Sequence, residues 1–232
     1  MKSFIICALI MFVFALQAAG YDMVIDGVLD EPVYSDITPF NGEISSLYLI
    51  PTTDNLYIGV EVEDDSINVA DPASFWDMSC VEVWFDWANE DSPVFDANDQ
   101  QFWFVPVEGN GDQGYAGQWH RDMDNIPATV YDYANQSDMI DAAFMVDEGV
   151  GYTIEVRIAK EAMGGYTPNG KIGFNYSADK GGAKYEWEAA MLGGEFFSKP
   201  NLWPDLDISV IWLAVQPGDA LSALWGGMKA AR

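Results

Sequence analysis

Residues 56–63 read LYIGVEVE, and their apolar side chains recur at every second position. Successive side chains of a β-strand point to opposite faces, so this spacing predicts a strand with one face against a core. The same alternation returns in residues 81–87 (VEVWFDW) and in residues 152–158 (YTIEVRI). These segments indicate that strand pairing, and not helix packing, organises the chain.

Further strands are predicted around these segments, with turn signals such as residues 109–112 (GNGD) and 168–170 (PNG) between them. Helical patterns are few: one turn at 160–164 and a short helix at 219–231. We therefore predict an all-β fold, a jelly-roll-like β-sandwich of antiparallel strands with few helices. The additional strand candidates are 22–26, 45–50, 101–107, 127–133, 140–146, 171–177, 184–191 and 207–214.

The first twenty residues have the parts of a secretory signal peptide. Lys2 supplies the positive charge, residues 4–16 are apolar, and small residues precede Tyr21. The apolar run is shorter than the roughly 20 residues of a membrane-spanning helix. We predict a signal peptide at 1–20, one domain at 21–217, and a C-terminal tail at 218–232 that is helical or serves as an attachment tag. The mature protein is then secreted, either extracellular or periplasmic, without a membrane span.

The charge balance restricts the partners. The chain has 10 Lys and Arg against 37 Asp and Glu, which gives a formal net charge of -27. Such a surface repels phosphate backbones, so nucleic acid is not expected as a partner. It attracts divalent cations such as Ca²⁺, and adaptation to salt gives the same composition.

Cysteine and histidine are scarce. Cys7 lies in the predicted signal peptide, so Cys80 alone remains and an intramolecular disulfide is excluded. His120 is the single histidine, which argues against His-rich catalytic metal sites and against serine or cysteine triads.

Four motifs occur in a recognisable order: residues 25–32 (IDGVLDEP), 56–65 (LYIGVEVEDD), 81–86 (VEVWFD) and 172–175 (IGFN). In these motifs the chain resembles the family 9 carbohydrate-binding modules and, more broadly, the related DOMON-type sandwiches. The resemblance covers roughly residues 22–214. It implies a β-sandwich stabilised by calcium, with a cleft that binds a polysaccharide or glycan and without catalytic activity.

The resemblance also implies site residues. In the sugar-binding members a Trp precedes the VEVxxD strand, and the Glu of that strand hydrogen-bonds the sugar; the matching positions here are Trp76 and Glu82. An aromatic ring packs on the C–H face of a pyranose, and a carboxylate accepts hydrogen bonds from hydroxyls. The other interpretation is that Trp76 covers a loop and Glu82 is a solvated strand residue.

One position departs from the sugar-binding members. They carry an Arg on the following strand, where this chain has Trp103. Either the site is more aromatic, with Trp84 on the same face as Glu82, or the ligand of those members is not bound. Phe197 is the candidate for a second aromatic platform, with Phe196 and Trp203 as alternatives.

Oxygen ligands for Ca²⁺ recur at close spacing. Asp96, Asn98 and Asp99 form the leading candidate site, and the pairs Asp64–Asp65 and Asp26 with Asp30 are others. Ca²⁺ takes roughly 6–8 oxygens, often from loops. A solvated acidic loop has the same composition.

Two other function classes stay open. DOMON-type relatives bind haem b for electron transfer through a Met with a His or Lys, for which His120 is the available histidine. A structural or adhesion module of a surface assembly would also expose aromatic side chains, toward another protein. Acids are so abundant that an Asp–Glu pair carries no information about glycoside hydrolysis, and no enzyme is predicted.

Overall fold

The computed structural model describes residues 23–68, 76–106, 114–120, 129–132, 139–187 and 196–214; for 114–120, 129–132 and 212–214 it describes the backbone alone. The predictions for 1–20 and for 218–232 lie outside these residues. The strands of the described residues are β1 (Phe40–Asn41), β2 (Ser45–Pro51), β3 (Asn55–Glu63), β4 (Cys80–Asp86), β5 (Asp99–Pro106), β6 (Gly114–His120), β7 (Thr129–Asp132), β8 (Ile140–Asp147), β9 (Gly151–Ala159), β10 (Lys171–Lys180), β11 (Ala183–Glu186) and β12 (Asp205–Asp207).

The strands pair in two antiparallel sheets. The smaller sheet has the order β1-β2-β3-β9-β8. The larger sheet has the order β11-β10-β4-β5-β6-β7, and β12 pairs with one end of β10. This arrangement confirms the predicted β-sandwich of antiparallel strands with few helices.

The main core lies between the two sheets and consists of every second residue of their central strands. In β3, Leu56, Ile58, Val60 and Val62 are at most 2% exposed, as the alternation predicts. The larger sheet contributes the odd-numbered positions of β4 and the even-numbered positions of β5 and β10 to the same core. Burying each such side chain stabilises the fold by roughly 1.5–3 kcal/mol.

The central strands β4 and β5 of the larger sheet are buried on both faces, unlike a typical antiparallel sheet with one solvated face. Every residue of β4 and of β5 is buried. Val81, Val83 and Phe85 face the core, whereas Glu82 and Trp84 alternate with them and lie on the opposite side. We call this opposite side the outer face, and it holds the candidate site.

The motif at 25–32 is a loop and a helical turn, and no strand occurs in 23–26. The Glu155 carboxylate of β9 accepts the backbone N–H groups of Asp26 and Gly27, both at 3.0 Å, and the hydroxyl of Tyr34 at 2.9 Å. Gly27 has a φ of 87°, and a Cβ there would lie 2.6 Å from the Phe144 carbonyl carbon. The motif therefore seats the N-terminal segment against the smaller sheet.

The helices are short. The α-helix α1 (Pro32–Asp36) begins with a proline, and the turn predicted at 160–164 is the 3-10 helix Lys160–Ala162. The strand predicted at 207–214 is wrong, because Ile208–Ala214 forms the α-helix α2. Asp207 accepts a hydrogen bond from the Ser209 backbone N–H at 3.1 Å, and such a cap starts a helix even on a strand-like sequence. None of the described helices has the length and apolar character needed to cross a bilayer.

Candidate functional site

Four polar side chains from four neighbouring strands form a network on the outer face, which we call the polar floor. Glu82 comes from β4, Gln101 from β5, Asp179 from β10 and Lys184 from β11. The Lys184 ammonium contacts Glu82 Oε1 and lies 2.7 Å from Asp179 Oδ2, while Gln101 Nε2 donates to Glu82 Oε2 at 2.5 Å. Ser177 Oγ donates to Asp179 Oδ1 at 2.9 Å. Both carboxylates are thus held in fixed orientations.

The carboxylates of the polar floor are buried and share one cation. Glu82 is 2% exposed and Asp179 is 0% exposed, whereas the Lys184 side chain is 28% exposed. Burial raises the pKa of Glu82 to about 8; the Lys184 charge opposes this rise and the Asp179 charge adds to it. Burial lowers the pKa of Lys184, but the two carboxylates outweigh it and the net shift is upward.

Two buried donors lie next to the polar floor on the outer face. Trp84 and Asn175 are direct partners across β4 and β10, and both are 0% exposed. Among the described residues, Trp84 Nε1 and Asn175 Nδ2 meet no hydrogen-bond acceptor. An unsatisfied buried donor costs about 1–3 kcal/mol.

Trp84 and Trp103, both predicted as site residues, are fully buried. Trp84 packs edge-on against Phe196, with ring centroids 5.1 Å apart, in a cluster that also contains Trp203. Trp103 is the register partner of Glu82 and clusters with Met78. Their rings therefore belong to the base of the site and offer no open stacking surface.

Trp76 and Phe197, the other two predicted aromatic residues, are each 47% exposed. Phe197 belongs to the 3-10 helix Phe196–Ser198, directly after the residue that covers Trp84. Trp76 precedes Asp77, whose Cα would lie 3.7 Å from a Cβ on Gly182 in the turn before Lys184. The two exposed rings therefore come from segments that contact the outer face and the hairpin carrying Lys184.

The loop between β4 and β5, residues 86–99, concentrates acidic groups, and we call it the acidic loop. Asp86 accepts the backbone N–H groups of residues 88–91 at 2.7–3.3 Å, and this turn places Asn89 and Asp91 at φ of 51° and 53°. Asp86 thus has its oxygens occupied by the backbone. The candidate Ca²⁺ ligands lie at the far end of the same loop.

The predicted ligands Asp96, Asn98 and Asp99 lie together. Asp99 Oδ2 accepts the Asp96 N–H and Asp96 Oδ1 accepts the Asn98 N–H, both at 2.8 Å. Burial, with the charges of nearby acids, raises the pKa of Asp99 to about 7, and contact with Asp96 raises the pKa of exposed Glu90. Two buried oxygens, Asp99 Oδ1 and Asn89 Oδ1, have no hydrogen-bond donor in the described part of the chain. Crowded acids and orphaned oxygens fit a hard cation.

The other acidic candidates are engaged within the protein. Asp64 accepts from Ser79 Oγ at 2.6 Å, Asp65 pairs with Lys180 at 2.5 Å, and Asp26 accepts the Val28 N–H.

Cys80, Glu82 and Asp179 are the one set of three potential metal-ligating groups within 4.8 Å of one another in the described residues. Lys184 already supplies a cation to two of the three. The side chain of His120, the histidine available for haem ligation, lies outside the part of the chain whose side chains the structure describes.

Sequence reasoning missed Lys184, Gln101, Asp179 and Asn175 as members of one site. One feature of the sequence singles out Lys184, which is one of only 10 basic residues in the chain. Its contact with Glu82, 102 positions away along the chain, depends on strand pairing.

The comparisons with known proteins agree with this architecture. The family model described as carbohydrate family 9 binding domain-like matches residues 31–203. Two similar solved structures are family 9 carbohydrate-binding modules from Caldicellulosiruptor kristjanssonii, one in complex with cellotriose and one with glucose. The first is 16% identical, covers 80% of this chain and 88% of its own, and has a TM-score of 0.57. The second is 16% identical, covers 81% and 92%, and has a TM-score of 0.56. No curated protein matches the chain.

Proposed function

Because the chain belongs to the carbohydrate family 9 binding domain-like family, we propose that it is a secreted module that binds carbohydrate, a polysaccharide or glycan, without catalysing a reaction. The site lies on the outer face of the larger sheet. The observation that carries this proposal is that two exposed aromatic rings come from segments that contact the outer face and the Lys184 hairpin, and that this face holds a buried polar floor. Carbohydrates need both features, since a pyranose has apolar C–H faces and a rim of hydroxyls.

Each predicted residue has a role in this proposal. Trp76 and Phe197 present the rings that pack on the C–H faces of the sugar. Glu82 supplies the carboxyl group at the centre of the polar floor, where its two oxygens accept from Lys184 and Gln101. Trp84 and Trp103 form the apolar base that holds the strands of the site rigid.

A binding role suits the polar floor better than glycoside hydrolysis does. Hydrolysis uses two carboxyl groups on either side of a glycosidic bond, one of them free to give a proton. Glu82 and Asp179 are both bound to the same ammonium and are almost fully buried. Neither is placed to deliver a proton to a leaving group.

Calcium binding at the acidic loop is part of the proposal. Asp96, Asn98 and Asp99 would hold the ion, because Asp99 carries an orphaned buried oxygen amid acids that raise its pKa. The ion would neutralise these acids and brace the loop that joins β4 to β5. Its role is structural, as oxygen-rich loop sites commonly are.

Secretion follows from the predicted signal peptide at 1–20. Outside the cell or in the periplasm the protein meets polysaccharides, and outside the cell calcium is plentiful. A net charge of -27 keeps it soluble and away from anionic polymers.

Calorimetric titration with cellotriose and glucose tests the function. We expect the parent to bind, and Trp76→Ala and Phe197→Ala each to weaken binding about tenfold, since a stacked ring contributes about 0.5–1.5 kcal/mol beyond its buried area. Met139→Ala is the matched control, because Met139 is 42% exposed and precedes β8 of the smaller sheet. If neither aromatic variant differs from this control, the proposed site is wrong.

A further inference from the structure

We propose that Lys184 is the polar-floor residue that meets the ligand, donating its ammonium N–H to a sugar oxygen, while Glu82 and Asp179 act through it by holding it in place. This inference rests on the proposed function. It places the positively charged residue of the site on β11, and β10 separates this strand from β4, which carries Glu82.

Accessibility distinguishes Lys184 from the rest of the polar floor. Its side chain is 28% exposed, whereas Glu82, Gln101 and Asp179 are at most 4% exposed. A ligand that approaches the outer face from solvent therefore reaches the ammonium before either carboxylate. The carboxylates lie behind Lys184 and contact it from two strands.

The hydrogen-bond inventory leaves Lys184 one donor for a ligand. An ammonium has three N–H groups. Glu82 Oε1 and Asp179 Oδ2 accept two of them, and no further acceptor for Lys184 occurs in the described part of the chain. Among the described residues the third N–H therefore has no acceptor, and it remains for a ligand. Ligand hydroxyl and ring oxygens are acceptors of the required kind.

Stability alone does not explain this arrangement. A buried ion pair costs several kcal/mol of desolvation per ion and is often no more stabilising than apolar side chains of similar volume. Two acidic groups around one lysine are especially costly, since ionising both would leave a negative charge unbalanced. The arrangement does fix the direction of the ammonium, and a fixed donor binds a ligand with little loss of side-chain entropy.

The neighbouring hairpin contacts place Lys184 beside an aromatic platform. A Cβ on Gly182, two residues before Lys184, would lie 3.7 Å from the Cα and the carbonyl oxygen of Asp77. Asp77 directly follows the exposed Trp76. A sugar stacked on Trp76 would therefore lie close to the segment that carries the donor.

Binding of glucose and cellotriose to Lys184→Met and Lys184→Arg gives the first test. We expect Lys184→Met to weaken binding at least tenfold, a cost of about 1.4 kcal/mol, and Lys184→Arg to bind within about threefold of the parent. Lys180→Met is the matched control, because Lys180 is also 28% exposed in its side chain and pairs with Asp65 on the far side of the same hairpin. If Lys184→Met does not fold, the double variant Lys184→Met/Asp179→Asn is used in its place, because it removes one positive and one negative charge together.

Monodeoxyglucoses separate contact from structural support. We expect removal of one particular hydroxyl to weaken binding to the parent, and expect this penalty to disappear in the variant lacking Lys184. Equal penalties in both proteins, or unchanged affinity in Lys184→Met, would overturn the inference while leaving the proposed function intact. Absence of sugar binding by the parent would overturn both.

Discussion

Glu82 is an acidic residue that the fold removes almost completely from water. Its carboxylate faces Lys184, Gln101, Asp179 and Cys80, and its own strand places it opposite Trp103. A single cation therefore serves two buried acids. At the residue scale this makes the site sensitive to pH as well as to mutation.

Stability is expected to depend on pH through Glu82. Its pKa rises from an ordinary 4.5 to about 8 on folding, so the folded state favours the protonated form. The associated stability is complete below about pH 4.5 and is lost as pH rises through about 8. We expect the Tm of the parent to fall by several degrees between about pH 6 and about pH 9, at about 2–4 °C per kcal/mol for a chain of this size.

Glu82→Gln keeps the shape of the side chain and removes its titration, so its Tm should change less over the same range. Glu61→Gln serves as the control, since Glu61 is exposed on the smaller sheet. Circular dichroism measures Tm at each pH. Parallel curves of Tm against pH for Glu82→Gln and the parent would contradict the assignment of the pH dependence to Glu82.

At the scale of elements, the acidic loop joins the two strands that form the centre of the site. It links β4, which carries Glu82, to β5, which carries Gln101 and Trp103, and its ends are paired through Asp86 and Asp99. An ion in this loop would therefore stabilise the register of the site strands. The acidic loop and the polar floor are two separate features that both involve β4 and β5.

Calcium is expected to raise the melting temperature. A ligand at about 100 times its Kd stabilises the native state by about 2.7 kcal/mol, which corresponds to about 5–10 °C here. Differential scanning calorimetry with calcium and with chelator measures this shift. Asp99→Asn should remove it, whereas Asp65→Asn, at an exposed ion pair with Lys180, should retain it. An equal shift in both variants would place the ion elsewhere.

At the scale of the whole molecule, the chain combines an apolar core between its sheets with a large excess of acidic residues. Its 37 acidic residues face only 10 basic ones, and the described ion pairs engage Arg157, Lys180 and Lys184. Most acidic side chains therefore repel one another across the surface. Self-repulsion of this kind opposes compaction and is screened by salt.

Salt is expected to stabilise the protein. Between about 10 mM and about 300 mM NaCl, with chelator present, we expect Tm to rise by several degrees because the Debye length shortens from about 30 Å to well below 10 Å. Choline chloride should act equally, as a control for specific sodium binding. A Tm that falls with salt would mean that the few ion pairs outweigh the general repulsion.

Much of the architecture was predictable from local pattern. The alternation in 56–63 and 152–158 predicts β3 and β9, because a strand with one face in a core must place apolar residues at every second position. The alternation fails to predict α2, where Asp207 caps a helix whose sequence is rich in β-branched residues. The alternation also fails to predict that β4 is buried on both faces, because the even-numbered positions of β4 include the acidic Glu82 as well as the apolar Trp84.

The sequence by itself determined the two-sheet fold and the acidic charge, because periodicity and charge are local properties, and its resemblance to a known family supplied the aromatic candidates. Tertiary structure alone decided which candidates are open. Trp76 and Phe197 stay exposed, whereas Trp84 and Trp103 are covered by segments distant in the chain. It also decided that Lys184 meets Glu82 across 102 residues. Both outcomes depend on which strands become neighbours, and pairing over long separations is set by the packing of the whole sandwich.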